Sequence, residues 1–387
     1  MSNFQSSIKK YPLLPFSRLV YDIVRWLPMV YRFPLACRWR NGAKEKARIE
    51  QALRIALANH PAFQMRVDGH GNHYPSSLKD ILHGPYHDFD LSVQGEDLVI
   101  KVQISRILGD GKSAEILLGD ILRAYEGLPL EPDDYWEYVE AYERYKTDTH
   151  YRISRDWLVK EFADSSIPVR PTIDRKCLWT LLPPKPGLYK ADYTDLHDKI
   201  VNLAETKYLS YEGLFSLCIT LAIAEYCGTD EAALTWAYEG REAPEEQRIF
   251  GSLHRDIPFQ IKNLQSPTSN LQSDLIREAR NQIRSGIAHS DYPYTLSAPY
   301  NKRWNYAVNV LRITDPEDML RNIDLPIEVV SVPKQKYAYA LLDVEIHEHP
   351  QNLSIWFRYS ATHYKPESIQ KFASLVRRYA EWLIESE

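Results

Sequence analysis

Side chains able to do chemistry gather at three places in the chain. The first is Ser105-Arg106-Ile107-Leu108-Gly109-Asp110-Gly111, a loop lying between an apolar stretch and a helical pattern. A carboxylate such as Asp110 can accept backbone N–H groups or pair with a cation. Arg106 has five donors and no acceptor, so it can hold an anion or a developing oxyanion but cannot take a proton. Ser105 and Ser113 lack the Gly-x-Ser-x-Gly setting of a nucleophile elbow and read as loop and cap residues. The second place is His254-Arg255-Asp256, where a strand would put the imidazole and the carboxylate on one face and the guanidinium on the other. That arrangement fits a base oriented by a carboxylate, but adjacent charges at a strand end are usually a solvated rim, and the rim is the expectation. The third is His347-Glu348-His349, two imidazoles on one strand face with no Cys, Asp or Glu partner at metal-ligand spacing, so a surface strand and no metal are expected. The chain has no P-loop and no Gly-x-Gly-x-x-Gly, which removes nucleotide hydrolysis and dinucleotide redox.

The elements that must position these groups follow from periodicity. Leu98 to Ile104 predicts a partly buried strand, and Ser113 is expected to cap a helix ending at Gly127, with Ile116, Leu117, Ile121, Leu122 and Tyr125 on one face. Lys44 to Asn59 predicts an amphipathic helix through Ile49, Leu53, Ile55 and Leu57. An aromatic, charged helical region covers about 134–162. Proline clusters at 168–171 and 183–187 break the pattern, giving an expected division into residues 1–170, which carry the loop, and 171–387. Beyond it, Lys190 to Leu203 reads as strand and turn. A helix then runs between Ser210, a good cap, and Gly228, a good stop. Strands are expected at 232–238, 250–261, 306–313, 326–332, 337–347 and 353–359, and helices at 271–286 and 366–386.

The chain has 387 residues, two to three packing units at ~150 residues each, with 44% hydrophobic, 26% charged and 12% aromatic residues, a globular balance. Forty-seven basic against 52 acidic residues give a net charge of −5, without the basic footprint of a nucleic-acid binder. Cys37, Cys177, Cys218 and Cys227 are too few and too irregular for a disulfide framework. Prolines and charges interrupt the segment after Tyr11, and no apolar run approaches ~18 residues, so no signal peptide or membrane span is expected and a cytoplasmic location is.

Several motifs resemble one family. Ile104 to Ser113 resembles the signature loop of nonribosomal peptide synthetase condensation domains, in the chloramphenicol-acetyltransferase-like superfamily, where two histidines are followed by three residues and Asp-Gly. Tyr11-Pro-Leu-Leu-Pro15, Asn59-His60-Pro61-Ala62-Phe63, Tyr135 to Tyr142, Gly240-Arg241 with Ile249 to Ile261, His289-Ser-Asp-Tyr-Pro-Tyr294 and Arg303 to Leu311 are similar to further family elements, in the family's order. The resemblance implies an α/β protein of two such lobes in a V, with a tunnel between them. Phosphopantetheine or coenzyme A thioesters would be ligands there, and a carrier protein a partner.

The departures carry the functional expectation. The family's second signature histidine is thought to deprotonate or position the acceptor, a role suited to an imidazole with a pKa near ~6.5. Here Ser105 and Arg106 replace the pair, while Asp110 and Gly111 remain. In the family the aspartate pairs with an arginine; Gln64 stands at that position, and Arg66 or Arg106 is expected to pair with Asp110 instead. His254, Arg255 and Asp256 replace an uncharged step beside the tunnel. The resulting expectation is a stand-alone, condensation-domain-like protein of secondary metabolism that has lost the usual base. It would bind a carrier protein, a small acyl ligand on pantetheine, or a partner enzyme, as does the family's glycopeptide-synthetase relative that carries arginine at the second histidine and recruits haem monooxygenases. The alternative is an active acyltransferase forming an amide or ester by positioning or through another base.

Overall fold

In a computed structural model of the chain, residues 8–25, 32–175, 184–262, 271–296, 307–321, 325–331, 337–338, 340–349 and 352–385 are described. Cys177 and Arg303-Trp304-Asn305 lie outside them. Residue contacts divide the chain into two compact units. One comprises Met1–Thr147, Glu239–His254 and Pro316–Lys334; the other comprises Asp148–Tyr238, Arg255–Asp315 and Gln335–Glu387. A single cut at residue 170 would give two contiguous parts, whereas these units exchange two segments, and residues 148–170 belong with the second.

In the first unit, strands Ile327–Ser331, Arg32–Trp39, Asp97–Ser105 and His87–Gln94 form an antiparallel sheet in that order. A smaller sheet joins Tyr11–Pro12, Asn72–Pro75 and Met65–Val67. Helix Lys46–Asn59 buries Ile49, Ala52, Leu53, Ala56 and Leu57, a clean i, i+3, i+4, i+7, i+8 stripe, and packs on helix Gly111–Glu126. Ile55 falls outside that stripe and is 43% exposed. The predicted aromatic helix is two helices. Tyr135–Tyr145 belongs to the first unit, and Thr149–Glu161 to the second, restarted by Asp148, whose carboxylate accepts the His150 N–H at 2.7 Å.

The second unit is built on a six-stranded mixed sheet ordered Pro186–Asp192, Asn352–Ser360, Leu342–His349, Asn309–Ile313, Ala232–Tyr238, Arg255–Ile261. Asn309–Ile313 pairs in parallel with both neighbours. Helix Tyr211–Cys227 is buried without interruption from Gly213 to Ala224 because it packs on the sheet and on helices Leu271–Ala288 and Pro366–Ile384. Ser210 Oγ accepts the Gly213 N–H, and Gly228 stops the helix at φ +68°, as the sequence predicts. Where Lys190–Leu203 reads as strand and turn, the strand ends at Asp192 and helix His197–Lys207 follows, its Ile200, Leu203 and Ala204 buried at helical spacing.

Candidate functional site

Strand Asp97–Ser105 delivers the loop into the interior of the first unit. Ser105 is 2% exposed, its N–H donates to the Tyr86 carbonyl at 2.8 Å, and Ile107 and Leu108 are each 1% exposed. The Ile107 carbonyl accepts from Ser17 Oγ at 2.9 Å. The helix that follows starts at Gly111, and its cap is Asp110, not Ser113. The Asp110 carboxylate accepts the Ser113 N–H at 3.0 Å while Ser113 Oγ accepts the Asp110 N–H at 3.2 Å. Both residue types cap well; because the helix starts at Gly111, the aspartate holds the cap position and the serine three residues on reciprocates. Gly109 is needed by contact: a Cβ there would lie 2.7 Å from Ser113 Cβ and 3.1 Å from Phe250 Cζ. Gly109→Ala is expected to destabilise the protein by ~1–3 kcal/mol in urea unfolding, as overpacking does; an unchanged midpoint would mean that the loop yields freely.

Asp110 sits in a dense clamp. Arg241 Nη1 donates to Oδ2 at 3.0 Å and Nη2 to Oδ1 at 3.1 Å, with the two side chains 0% and 6% exposed. The N–H groups of Leu253 and His254 donate to Oδ2 at 2.9 and 3.1 Å. Arg241 in turn donates to the carbonyls of Glu239, Ile249 and Gly251. Burial alone would push the Asp110 carboxyl up, but the guanidinium and the N–H donors outweigh it and hold it below the usual carboxylate range.

The partner of Asp110 is therefore Arg241, not Arg66 or Arg106. Arg66 is exposed at a strand position and donates from Nε to Ser76 Oγ at 3.1 Å. Arg106 is half-buried in the loop. Gln64 donates to the Ala58 carbonyl at 3.2 Å and, with Pro61, Pro75, Ser76, Ser77 and Trp136, lines an open recess of about 360 Å³. His254 gives its backbone N–H to Asp110, and its ring meets the Phe16 ring edge-on at a centroid distance of 3.8 Å. Arg255 begins a strand of the second unit and pairs with Asp291 at 2.6 Å and Ser290 Oγ at 2.9 Å, so it engages the His289 to Tyr294 element. Asp256 accepts from Asn309 Nδ2 at 3.4 Å.

Two buried histidine networks escaped the sequence reading. His347 is 1% exposed, not on a surface strand: Asp315 Oδ2 lies 2.9 Å from Nδ1, Glu345 Oε2 3.1 Å from Nε2, and the Trp356 ring stacks at 3.9 Å. Burial pulls its imidazole down, but the flanking carboxylates raise it above its ordinary value. Asp315 is remote in sequence, so spacing along the strand did not reveal it. His60 is likewise fully enclosed, with Asp133 at 2.7 Å. The role of Arg241 had one visible signal, the Gly240-Arg241 pair: Gly240 holds φ +67°, which turns the chain immediately after strand Ala232–Tyr238.

The family model described as Condensation domain matches residues 96–386. The chain belongs to the condensation domain family. Among curated relatives of this condensation-domain protein, tyrocidine synthase 2 of Brevibacillus parabrevis is 20% identical over 390 residues, covering 89% of this chain and 10% of its own length. A plipastatin synthase polypeptide of Bacillus subtilis (strain 168) is 20% identical over 309 residues, covering 75% of this chain and 8% of its own length. The chain thus spans about a tenth of the length of these relatives. Among solved structures, the epimerization domain TycB3(E) of tyrocidine synthetase B aligns with a TM-score of 0.75 at 16% identity, covering 98% of this chain and 97% of that one. The teicoplanin X-domain in complex with OxyB aligns at 0.74 and 16% identity, with 97% and 93% covered. A starter condensation domain of rhizomide synthetase RzmA, an arginine-to-alanine mutant in complex with C8-CoA, aligns at 0.70 and 16% identity, with 97% and 94% covered. These likenesses establish the chloramphenicol-acetyltransferase-like two-lobe α/β fold. Among the described residues no helix is long and apolar enough to cross a membrane.

Proposed function

We propose that this condensation-domain protein binds an acyl-pantetheine thioester, carried by a carrier protein or as coenzyme A, or a biosynthetic partner enzyme, and does not itself condense two substrates. The observation that carries this reading is the chemistry of the signature loop. Aligned by the resemblance of the loop to the family signature, Ser105 and Arg106 take the places of its two histidines, and both oxygens of Asp110 are taken by Arg241 and backbone N–H groups. An arginine has no acceptor, a serine hydroxyl is a poor base, and a carboxylate held below its usual range has little tendency to accept a proton. The scaffold around the loop is nevertheless fully built, which suits a retained binding role. Two structural relatives hold such occupants, one C8-CoA and one OxyB.

The half-buried Arg106 favours a second reading, an acyltransferase that works by positioning and by stabilising an oxyanion. Positioning alone can supply ~7–11 kcal/mol of a barrier in favourable cases. Calorimetric titration with octanoyl coenzyme A and with an acyl-loaded carrier protein tests the binding reading. Saturable binding to at least one is expected, with Arg106→Ala weakening it about tenfold or more if the guanidinium meets the ligand's anionic groups. No binding to either thioester would exclude the thioester form of the reading.

A further inference from the structure

Two buried carboxylates of the first unit hold the same short segment, and only one of them belongs to the signature loop. Asp110 takes the N–H groups of Leu253 and His254. Three residues before Leu253, the Phe250 N–H donates to Asp133 Oδ2 at 3.1 Å, and that same oxygen lies 2.7 Å from His60 Nδ1. On the far side of the ring, Nε2 lies 3.3 Å from Asp120 Oδ2. The His60 side chain is 0% exposed, that of Asp133 1% and that of Asp120 17%. The Phe250 and Phe63 rings pack beside the imidazole at centroid distances of 5.2 and 6.3 Å.

A neutral imidazole has one N–H and can satisfy one of the two carboxylates; an imidazolium has two and can satisfy both. Several polar and charged groups on the surrounding elements have partners of their own, although among the described residues His87 Nδ1 and Ser252 Oγ are buried without a hydrogen bond. Asn59 donates to Asp120 and to the Glu131 carbonyl, the Glu131 carboxylate pairs with Arg248, the Tyr135 hydroxyl meets His73, and His87 meets the Ile81 carbonyl behind Phe63. The balance within the cluster therefore falls to His60 itself. We infer that His60 is a protonation-dependent latch on Ile249–His254: as an imidazolium it binds Asp120 and Asp133 together and fixes the Phe250 anchor, and as a neutral ring it can hold only one of the two carboxylates, which loosens the segment supplying the donors of Asp110.

The direction in pH follows. Burial pulls His60 down, but Asp120 and Asp133 outweigh it and raise the ring above 6.5; burial pushes the Asp133 carboxyl up against the pull of His60. A histidine raised in the folded state contributes stability that is complete below its unfolded pKa and is lost as pH rises through the folded one. The latch is thus closed at mildly acidic pH and opens on the alkaline side.

Amide hydrogen exchange on the full chain, corrected for the intrinsic rate and run from about pH 6 to about pH 9, reads this directly. Protection of the Phe250, Leu253 and His254 amides is expected to fall about tenfold across that range, while amides of helix Tyr211–Cys227 stay constant. His60→Gln should flatten the profile. Asp120→Asn, which keeps the imidazole and removes one carboxylate, should move the fall to lower pH, and it decides the matter if the glutamine variant does not fold. Flat protection in the parent, an unaltered profile in His60→Gln, or an unmoved midpoint in Asp120→Asn would each overturn the latch.

Discussion

Asp110→Ala is expected to cost ~3–5 kcal/mol of stability, because it leaves the Arg241 guanidinium buried without its counter-charge. The same change removes the helix cap at Gly111 and orphans the N–H groups of Leu253 and His254, so the loss spreads through the loop and the 249–254 segment. Arg241→Met alone should be similarly costly, since it strands the carboxylate. Combining the two changes should cost clearly less than their sum, because neither charge is then left alone. The pH dependence has a definite sign. Asp110 is held below its ordinary 3.8, so its contribution is complete above that value and is lost as pH falls through the lower folded one. Urea unfolding of the parent and the three variants measures all of this, and strictly additive losses would mean that the two side chains act independently.

The second large effect belongs to the core that carries the other unit. Leu217 lies at 0% exposure in the middle of helix Tyr211–Cys227. Truncating it to alanine is expected to cost ~2–5 kcal/mol, since neighbours on the sheet and on two helices cannot all close the void. Ile55→Ala is the matched control: at 43% exposure it should change stability by no more than ~0.5 kcal/mol. Thermal unfolding of both variants against the parent tests the pair, and equal shifts would contradict the packing described.

How far the sequence could be read depended on whether an interaction is local. Helix Tyr211–Cys227 announced itself at both ends through Ser210 and Gly228, and strand Ala232–Tyr238 lies where its β-rich run predicts. The strand, loop and helix of residues 97–126 are local too, so the loop was visible even though its cap was placed three residues late. Helix Pro15–Val24 and strand His87–Gln94 were not visible. The first is short and begins at a proline, and the second carries three charged or imidazole residues among its first four, with burial on alternate positions only at its start. The pairing of Asp110 with Arg241 spans 131 positions, and that of His347 with Asp315 spans 32. Residue type marks such groups as candidates, but only the fold chooses between Arg66, Arg106 and Arg241. The exchange of 239–254 and 316–334 into the first unit is long-range in the same way.

Membership of the condensation domain family leaves the chemistry open, because epimerization, starter condensation and X-domains share this fold. The residues of the loop bear on it most directly, and intact-mass analysis is the measurement that reads their effect. An acyl-loaded carrier protein is incubated with the parent chain and a panel of amines, and the acyl group on the carrier is followed. The account predicts that the carrier keeps its acyl mass beyond the uncatalysed rate and that Arg106→Ala changes nothing. Transfer of the acyl group to an amine by the parent, reduced ~10²–10³-fold or abolished in Arg106→Ala, would contradict it and make Arg106 an oxyanion-stabilising group of an active acyltransferase.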